Sequence, residues 1–328
     1  MFLYLLLNNI IKVGKRACLI SGGGIWTAYN CGTLERIDNN YDLVVSISTG
    51  NLIAPFVALN DWNTLKNVLF NINDWNFFYG NQRLYHPNRN YKRLQILPIL
   101  LSLFFKKKYK ITSKNIYDLI NTNFTEKHYF ELIENNKEVV IGAINYAQIP
   151  AKIHYFNSKY VEFNDFKDWM WGGANNPFYL FLLTKGWKDS NNYFHVGKWG
   201  NGGIIELVNF DMLFNKNYTE IDVILTRTKP YEIFENNNIN SINNKLQIII
   251  DTIQHNLEFS YFYEKIKILN KQGAKITVYW LPNDFDINIS PKNKKSVENL
   301  WKLGYDNAFN MDRIDVYNPI NCKKNRYL

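Results

Sequence analysis

Ser48 stands in Leu43-Val-Val-Ser-Ile-Ser-Thr-Gly50, a β-branched run that ends in small residues and passes into the apolar, helix-like stretch Asn51–Leu59. A buried strand, a tight turn and a helix form the layout of a nucleophile elbow. There the residues two before and two after the serine must be small, because the sharp turn brings the flanking backbone together. Ser46 and Gly50 fill those places around Ser48. Ser46 is the competing nucleophile, but only Ser48 has small residues correctly spaced on both sides. Alone, such a turn is common to α/β proteins and points to no single chemistry. Upstream, Cys18-Leu-Ile-Ser-Gly-Gly-Gly-Ile25 is a short strand emptying into consecutive glycines. Lacking Cβ atoms, Gly22, Gly23 and Gly24 can turn their N–H groups toward one point. That nest suits a phosphate or the oxyanion of a tetrahedral intermediate. Neither a G-x-G-x-x-G nor a Walker lysine with Ser/Thr follows, which speaks against a nucleotide. A purely structural glycine turn is the remaining reading.

The elements that must position these residues follow from the hydrophobic pattern. Strands are expected at Ala17–Ile20, Leu43–Ser46, Val139–Ile144, Ile153–Phe156, Ile221–Thr226 and Ile276–Leu281, and helices at Asn51–Leu59 and Lys245–Asn270. The alternation predicts an α/β fold: a central, mostly parallel sheet flanked by helices, with the Gly22–Gly24 loop beside the Ser48 elbow. No internal repeat or long linker divides the chain, so a single domain over 1–328 is the reading. Asn236–Asn244 reads as a surface loop.

Far downstream lies Trp199-Gly-Asn-Gly-Gly-Ile-Ile205. A strand–Gly-Gly-Gly turn, a strand–S-x-S-x-G elbow and this segment, in that order, resemble the patatin-like phospholipase family. Two further stretches are similar to that family: Trp171-Gly-Gly-Ala-Asn-Asn-Pro-Phe178, like its small-residue stretch ahead of the Asp motif, and Val297–Tyr305, like its C-terminal helix ending in Gly-Tyr. The resemblance covers roughly 16–310, is strongest over 16–210, and implies a lipid acyl hydrolase working through an acyl-serine intermediate. Carried over position by position, it makes Ser48 the nucleophile and Gly22, Gly23 and Gly24 the oxyanion loop. Asn201, with Gly202 and Gly203 after it, stands where D-G-G would supply the catalytic Asp. The chain departs from the pattern in two places. Trp26 and Thr27 replace the usual basic residue and glycine after the loop. Asn201 is a neutral amide that cannot take a proton from Ser48 as a carboxylate can.

Three routes to activity remain open. A low rate can come from binding and an oxyanion hole alone. His195 or Asp211 can be considered as a substitute base. Asn201-Gly202 is also the dipeptide most prone to deamidation, which would create Asp in place. The alternative function is a catalytically inactive relative that binds lipid or a protein partner.

The 328 residues are 46% hydrophobic, and 38 Lys+Arg against 29 Asp+Glu give a net charge of +9, which favours anionic partners. Nine basic and no acidic residues fall in 81–117, among them Arg93, Lys106, Lys107 and Lys108, around the apolar run 96–105. That run is too short to span a bilayer but suits an anionic membrane interface, so these residues are membrane-interface candidates; a core helix with solvated flanks is the plainer reading. The basic segment carries no recognised nucleic-acid motif. Cys18, Cys31 and Cys322 suggest neither a disulfide framework nor a zinc site, and no metal or organic cofactor is implied. Met1–Leu7 is apolar but lacks the features of a signal peptide, so an intracellular, peripherally membrane-associated protein is expected.

Overall fold

The computed structural model describes residues 14–70, 114–175, 183–188, 194–204, 206–228, 259–282, 294–309 and 313–314. Met1–Leu7, most of the basic segment with Arg93 and Lys106–Lys108, Asn236–Asn244 and Cys322 lie outside the described residues.

Continuous apolar runs suit strands that are covered on both faces. They form β1 (Lys15–Ile20), β2 (Leu43–Ile47), β3 (Glu138–Asn145), β7 (Tyr218–Thr228) and β8 (Lys275–Leu281); β4 (Lys152–Asn157) is of mixed composition and half-buried, and all six match the expected strands to within a few residues. Three further strands, β5 (Leu183–Lys188), β6 (Phe194–Asn201) and the short β9 (Arg313–Ile314), are not announced by the sequence pattern. All belong to one sheet, in the order β5-β6-β3-β2-β1-β7-β8-β9, with β4 also paired to β3. The central strands β3, β2, β1, β7 and β8 run parallel. β4, β5, β6 and β9 add antiparallel pairings around them. The mostly parallel α/β architecture therefore stands, with strands from both halves of the chain in a single sheet.

Among the described residues the helices are α1 (Thr27–Ile37), α2 (Gly50–Ala58), α3 (Trp62–Phe70), α4 (Lys114–Asn123), α5 (Glu126–Glu134), α6 (Phe163–Ala174), α7 (described over 259–271) and α8 (Lys294–Asn307). Because successive strand residues point to opposite faces, the sheet carries two cores. Cys18, Ile20 and Val44 pack with residues of α1, α2, α6 and α8, while Ala17, Leu19, Leu43 and Val45 pack with Phe259, Phe262 and Ile266 of α7. α8 crosses α1 closely enough that a Cβ on Gly304 would lie 2.0 Å from the Tyr29 carbonyl oxygen, and one on Gly32 1.9 Å from that of Trp301. Thr33 seals the crossing by donating to Gly304 O at 3.2 Å. This contact holds in place the helix that follows the glycine loop.

Candidate active site

The sheet's register assembles the site. β4 takes one edge of β3 from Val140 to Asn145, so β2 and β6 share the other edge in succession. Ile47, the last residue of β2, lies opposite Gly142, and Asn201, the last residue of β6, lies opposite Ala143. β6 thus occupies the edge that β2 vacates when the chain turns off at Ser48. Trp199 anchors this end of β6: it is fully buried, lies edge-on to Trp169 and Phe156 at 4.9 and 5.6 Å, and donates its indole N–H to Lys185 O at 2.9 Å. The Asn201 N–H is held by Asn175 O at 2.7 Å.

Ser48 itself has φ of 59°, a left-handed conformation that is uncommon for a residue with a side chain. Such an outlier at a strand-to-helix turn is the strained geometry of a nucleophile elbow. Ser46 is 2% exposed, and its hydroxyl donates to Asn51 Oδ1 at 2.9 Å, while Asn51 Nδ2 donates to Gly142 O at 3.0 Å. Its side chain is therefore spent on bracing the elbow against β3. Gly50 has to be small, since a Cβ there would lie 3.0 Å from Ile20 O. Gly22 lies flat against Ser48: a Cβ on it would be 2.1 Å from Ser48 Cβ. Thr226, at the end of β7, donates its hydroxyl to Gly22 O and pins the loop from the other side.

Asn201 Nδ2 lies 2.7 Å from Ser48 Oγ, and Asn201 Oδ1 accepts the Gly203 N–H at 2.8 Å. The second bond fixes the sense of the amide, because only its oxygen can accept from an N–H. Asn201 therefore donates to Ser48. That donation stabilises a serine alkoxide but leaves the serine proton without a side-chain acceptor there. Gly202 packs on Ile47, where a Cβ would come within 3.1 Å of its side chain. The candidate substitute bases stand elsewhere. His195 lies six residues before Asn201 on the extended β6, about 20 Å away at roughly 3.3–3.4 Å per residue. Asp211 is ion-paired to Lys265. Glu206, the first acidic residue after Asn201, accepts from Tyr155 at 2.8 Å and Asn209 at 3.1 Å; burial first, then Glu206, pushes the Tyr155 phenol up.

In the glycine loop two N–H groups turn toward one point, and a side chain of the chain itself occupies that point. Gly23 N and Gly24 N both donate to the hydroxyl oxygen of Thr49, at 3.1 and 3.0 Å, and Thr27 Oγ1 lies 2.8 Å from the same oxygen. Sequence reasoning missed Thr49, Asn51 and Thr226 as site residues. Each is a polar residue at the end of an apolar strand or the start of an apolar helix, which by itself marks no site. Cys18 and Cys31 are buried with free thiols, and burial pushes both well above the ordinary thiol range, away from the thiolate form. Among the described residues, no group of three or more His, Cys, Asp or Glu converges as a metal site, and no helix is long and apolar enough to cross a membrane.

A mostly parallel α/β sheet with a strained serine at a strand-to-helix elbow, a glycine loop against it and a polar side chain on its hydroxyl is a layout shared with α/β serine hydrolases. Within that class, the family model described as patatin-like phospholipase matches residues 19–303, and the chain belongs to that family. The family is one of lipid acyl hydrolases. A comparison with curated proteins finds no match. Among solved structures, the crystal structure of VipD from Legionella pneumophila is similar at 12% identity and a TM-score of 0.40. The alignment covers 90% of this chain and 66% of that one, so the chain spans just under two thirds of its length.

Proposed function

We propose that the protein hydrolyses acyl esters of phospholipids or related lipids through an acyl-Ser48 intermediate, slowly, because Asn201 stands in the place of the base. The observation that carries the reading is the strained Ser48 held 2.7 Å from the Asn201 amide. In the first half-reaction the Ser48 Oγ–carbonyl carbon bond forms while the carbonyl π pair moves onto oxygen. Collapse of this tetrahedral intermediate breaks the ester bond, and the leaving alkoxide gains a proton. Water then attacks acyl-Ser48 and releases the fatty acid. With Asn201 the serine proton passes to solvent rather than to a side chain. Residual catalysis from binding and an oxyanion hole alone is on the order of 10³–10⁴ over water.

Deamidation of Asn201 is opposed by the turn, which ties up both ends of the amide. The working residue in this reading is thus asparagine. The basic segment with Arg93, Lys106, Lys107 and Lys108 would bring the site to an anionic lipid surface. An alternative reading, a lipid- or protein-binding relative without turnover, is favoured by one observation: Asn201 offers Ser48 a donor where a base would offer an acceptor.

Fatty-acid release from phospholipid vesicles separates the two. The expected order is Asn201→Asp above wild type by about 10²–10⁴, the usual worth of a positioned general base, with Ser48→Ala at background. The carboxylate introduced by Asn201→Asp could accept from both Ser48 and Gly203 without moving the backbone. Release by neither wild type nor Asn201→Asp would select the binding protein.

A further inference from the structure

The Thr49 hydroxyl accepts from Gly23 N–H at 3.1 Å and from Gly24 N–H at 3.0 Å, which uses both of its lone pairs. The 2.8 Å contact with Thr27 is then Thr49 donating to Thr27 Oγ1. Both threonines are buried, at 6% and 2% exposure, and the hydroxyl has no capacity left for another partner. Two N–H groups converging on one oxygen at this distance is the arrangement an oxyanion hole presents to a tetrahedral intermediate. The oxygen seated there belongs to the residue next to the nucleophile, and the same loop contacts Ser48 through Gly22.

We propose that Thr49 is a positioning residue for acyl transfer, whose hydroxyl oxygen fills the substrate oxyanion's seat between Gly23 and Gly24 in the resting protein and swings out to admit it. This rests on the acyl-transfer reading of Ser48. In the resting state the Thr49 oxygen spares two N–H groups from going unpaired in a half-buried loop, where an unmade bond is costly. During acylation, the new Ser48 Oγ–carbon bond pushes the carbonyl π pair onto oxygen, and that oxyanion takes over the Gly23 and Gly24 N–H bonds. A negative oxygen binds N–H groups roughly twice as strongly as a neutral hydroxyl, so a carbonyl on the way to an oxyanion displaces Thr49. The branched side chain, stiff at χ1 and tied to Thr27, sets how readily it moves.

The test uses Asn201→Asp as parent, so that proton transfer does not mask the step, with Thr49→Ser, Thr49→Ala and Thr49→Val built on it. Ser48 labelling by a fluorophosphonate, whose phosphonyl oxygen needs the same seat, is expected to run about tenfold faster in Thr49→Ala than in the parent. Thr49→Ser, which keeps the acceptor but frees χ1, falls between them, and Thr49→Val, which leaves a methyl in the seat, is slower than the parent. The Gly23 and Gly24 amide protons are expected to move upfield in Thr49→Val and to stay in place in Thr49→Ser. A merely structural threonine would slow labelling in all three in step with lost melting temperature, and that result overturns the proposal. So does labelling of Thr49→Ala at or below the parent rate. If neither parent nor variants label, the hydrolase reading fails, and the amide protons alone decide on the seat: unchanged resonances in Thr49→Val would sink it.

Discussion

Asparagine and aspartate fill the same space but differ in what they can do to a neighbouring hydroxyl. At Asn201 the difference decides the direction of a hydrogen bond: Gly203 claims the amide oxygen, so the nitrogen is left for Ser48. Two glycines of close approach were legible in the sequence, because such contacts exclude a side chain: Gly22 against Ser48, and Gly50 against the backbone of Ile20 and Ser21. Thr49 was not legible. A buried hydroxyl takes whatever partner the tertiary structure brings to it, and here that partner comes from a loop some two dozen residues upstream. The same closeness makes Gly22 a sharp test. Gly22→Ala would put a methyl 2.1 Å from Ser48 Cβ. The expected outcome is a loss of about 1–3 kcal/mol in stability and of Ser48 labelling beyond detection, measured by denaturant unfolding and intact mass. An unaffected variant would mean that the loop does not lie against the serine.

Elements differ in how they show themselves. β1, β2, β3, β7 and β8 are sandwiched between helix layers, so their sequences are near-continuous apolar runs. β5 and β6 form a hairpin at the edge of the sheet, with Gly186, Gly197 and Gly200 and several lysines inside them. Neither composition nor period announces such strands, although β6 delivers Asn201. Asp222 on β7 carries a further consequence of burial. Its Oδ2 accepts from Asn39 at 2.7 Å and Tyr41 at 2.8 Å, but burial is the larger influence and pushes its carboxyl above the ordinary value of 3.8. The folded state therefore holds this proton more tightly than the unfolded state. Between pH 3.8 and the raised folded value the native form binds more protons, so its stabilisation falls as pH rises through that window and stays low above it. Asp222→Asn keeps an acceptor for Asn39 and Tyr41 and removes the titration. Urea midpoints against pH are expected to fall less steeply for the variant across this window, with stability at pH 7 equal to or above wild type. A variant much weaker at neutral pH would mean that the ionised carboxylate is worth more than its burial costs.

At the scale of the whole molecule, the net charge of +9 is matched by the nine basic residues of 81–117. If this segment draws the protein to lipid, binding to anionic vesicles falls with added salt, as expected for charges within a Debye length of about 8–10 Å. Changing Lys106, Lys107 and Lys108 to neutral residues is expected to weaken it further, at about 1 kcal/mol per charge near the surface, in a sedimentation assay. Equal binding by the variant would assign the attraction to another face. The overall architecture was readable because alternating strand and helix patterns admit few packings. The meeting of Ser48 with Asn201 was not, since it depends on β6 taking the edge of β3 that β2 gives up.

The most direct test of the account is fluorophosphonate labelling of wild type, Asn201→Asp and Ser48→Ala, followed by peptide mass spectrometry. The expected result is an adduct on Ser48 that forms slowly in wild type, at least about 100-fold faster in Asn201→Asp, and not at all in Ser48→Ala. A folded Asn201→Asp protein that remains unlabelled at Ser48 would contradict the assignment of this serine as the nucleophile.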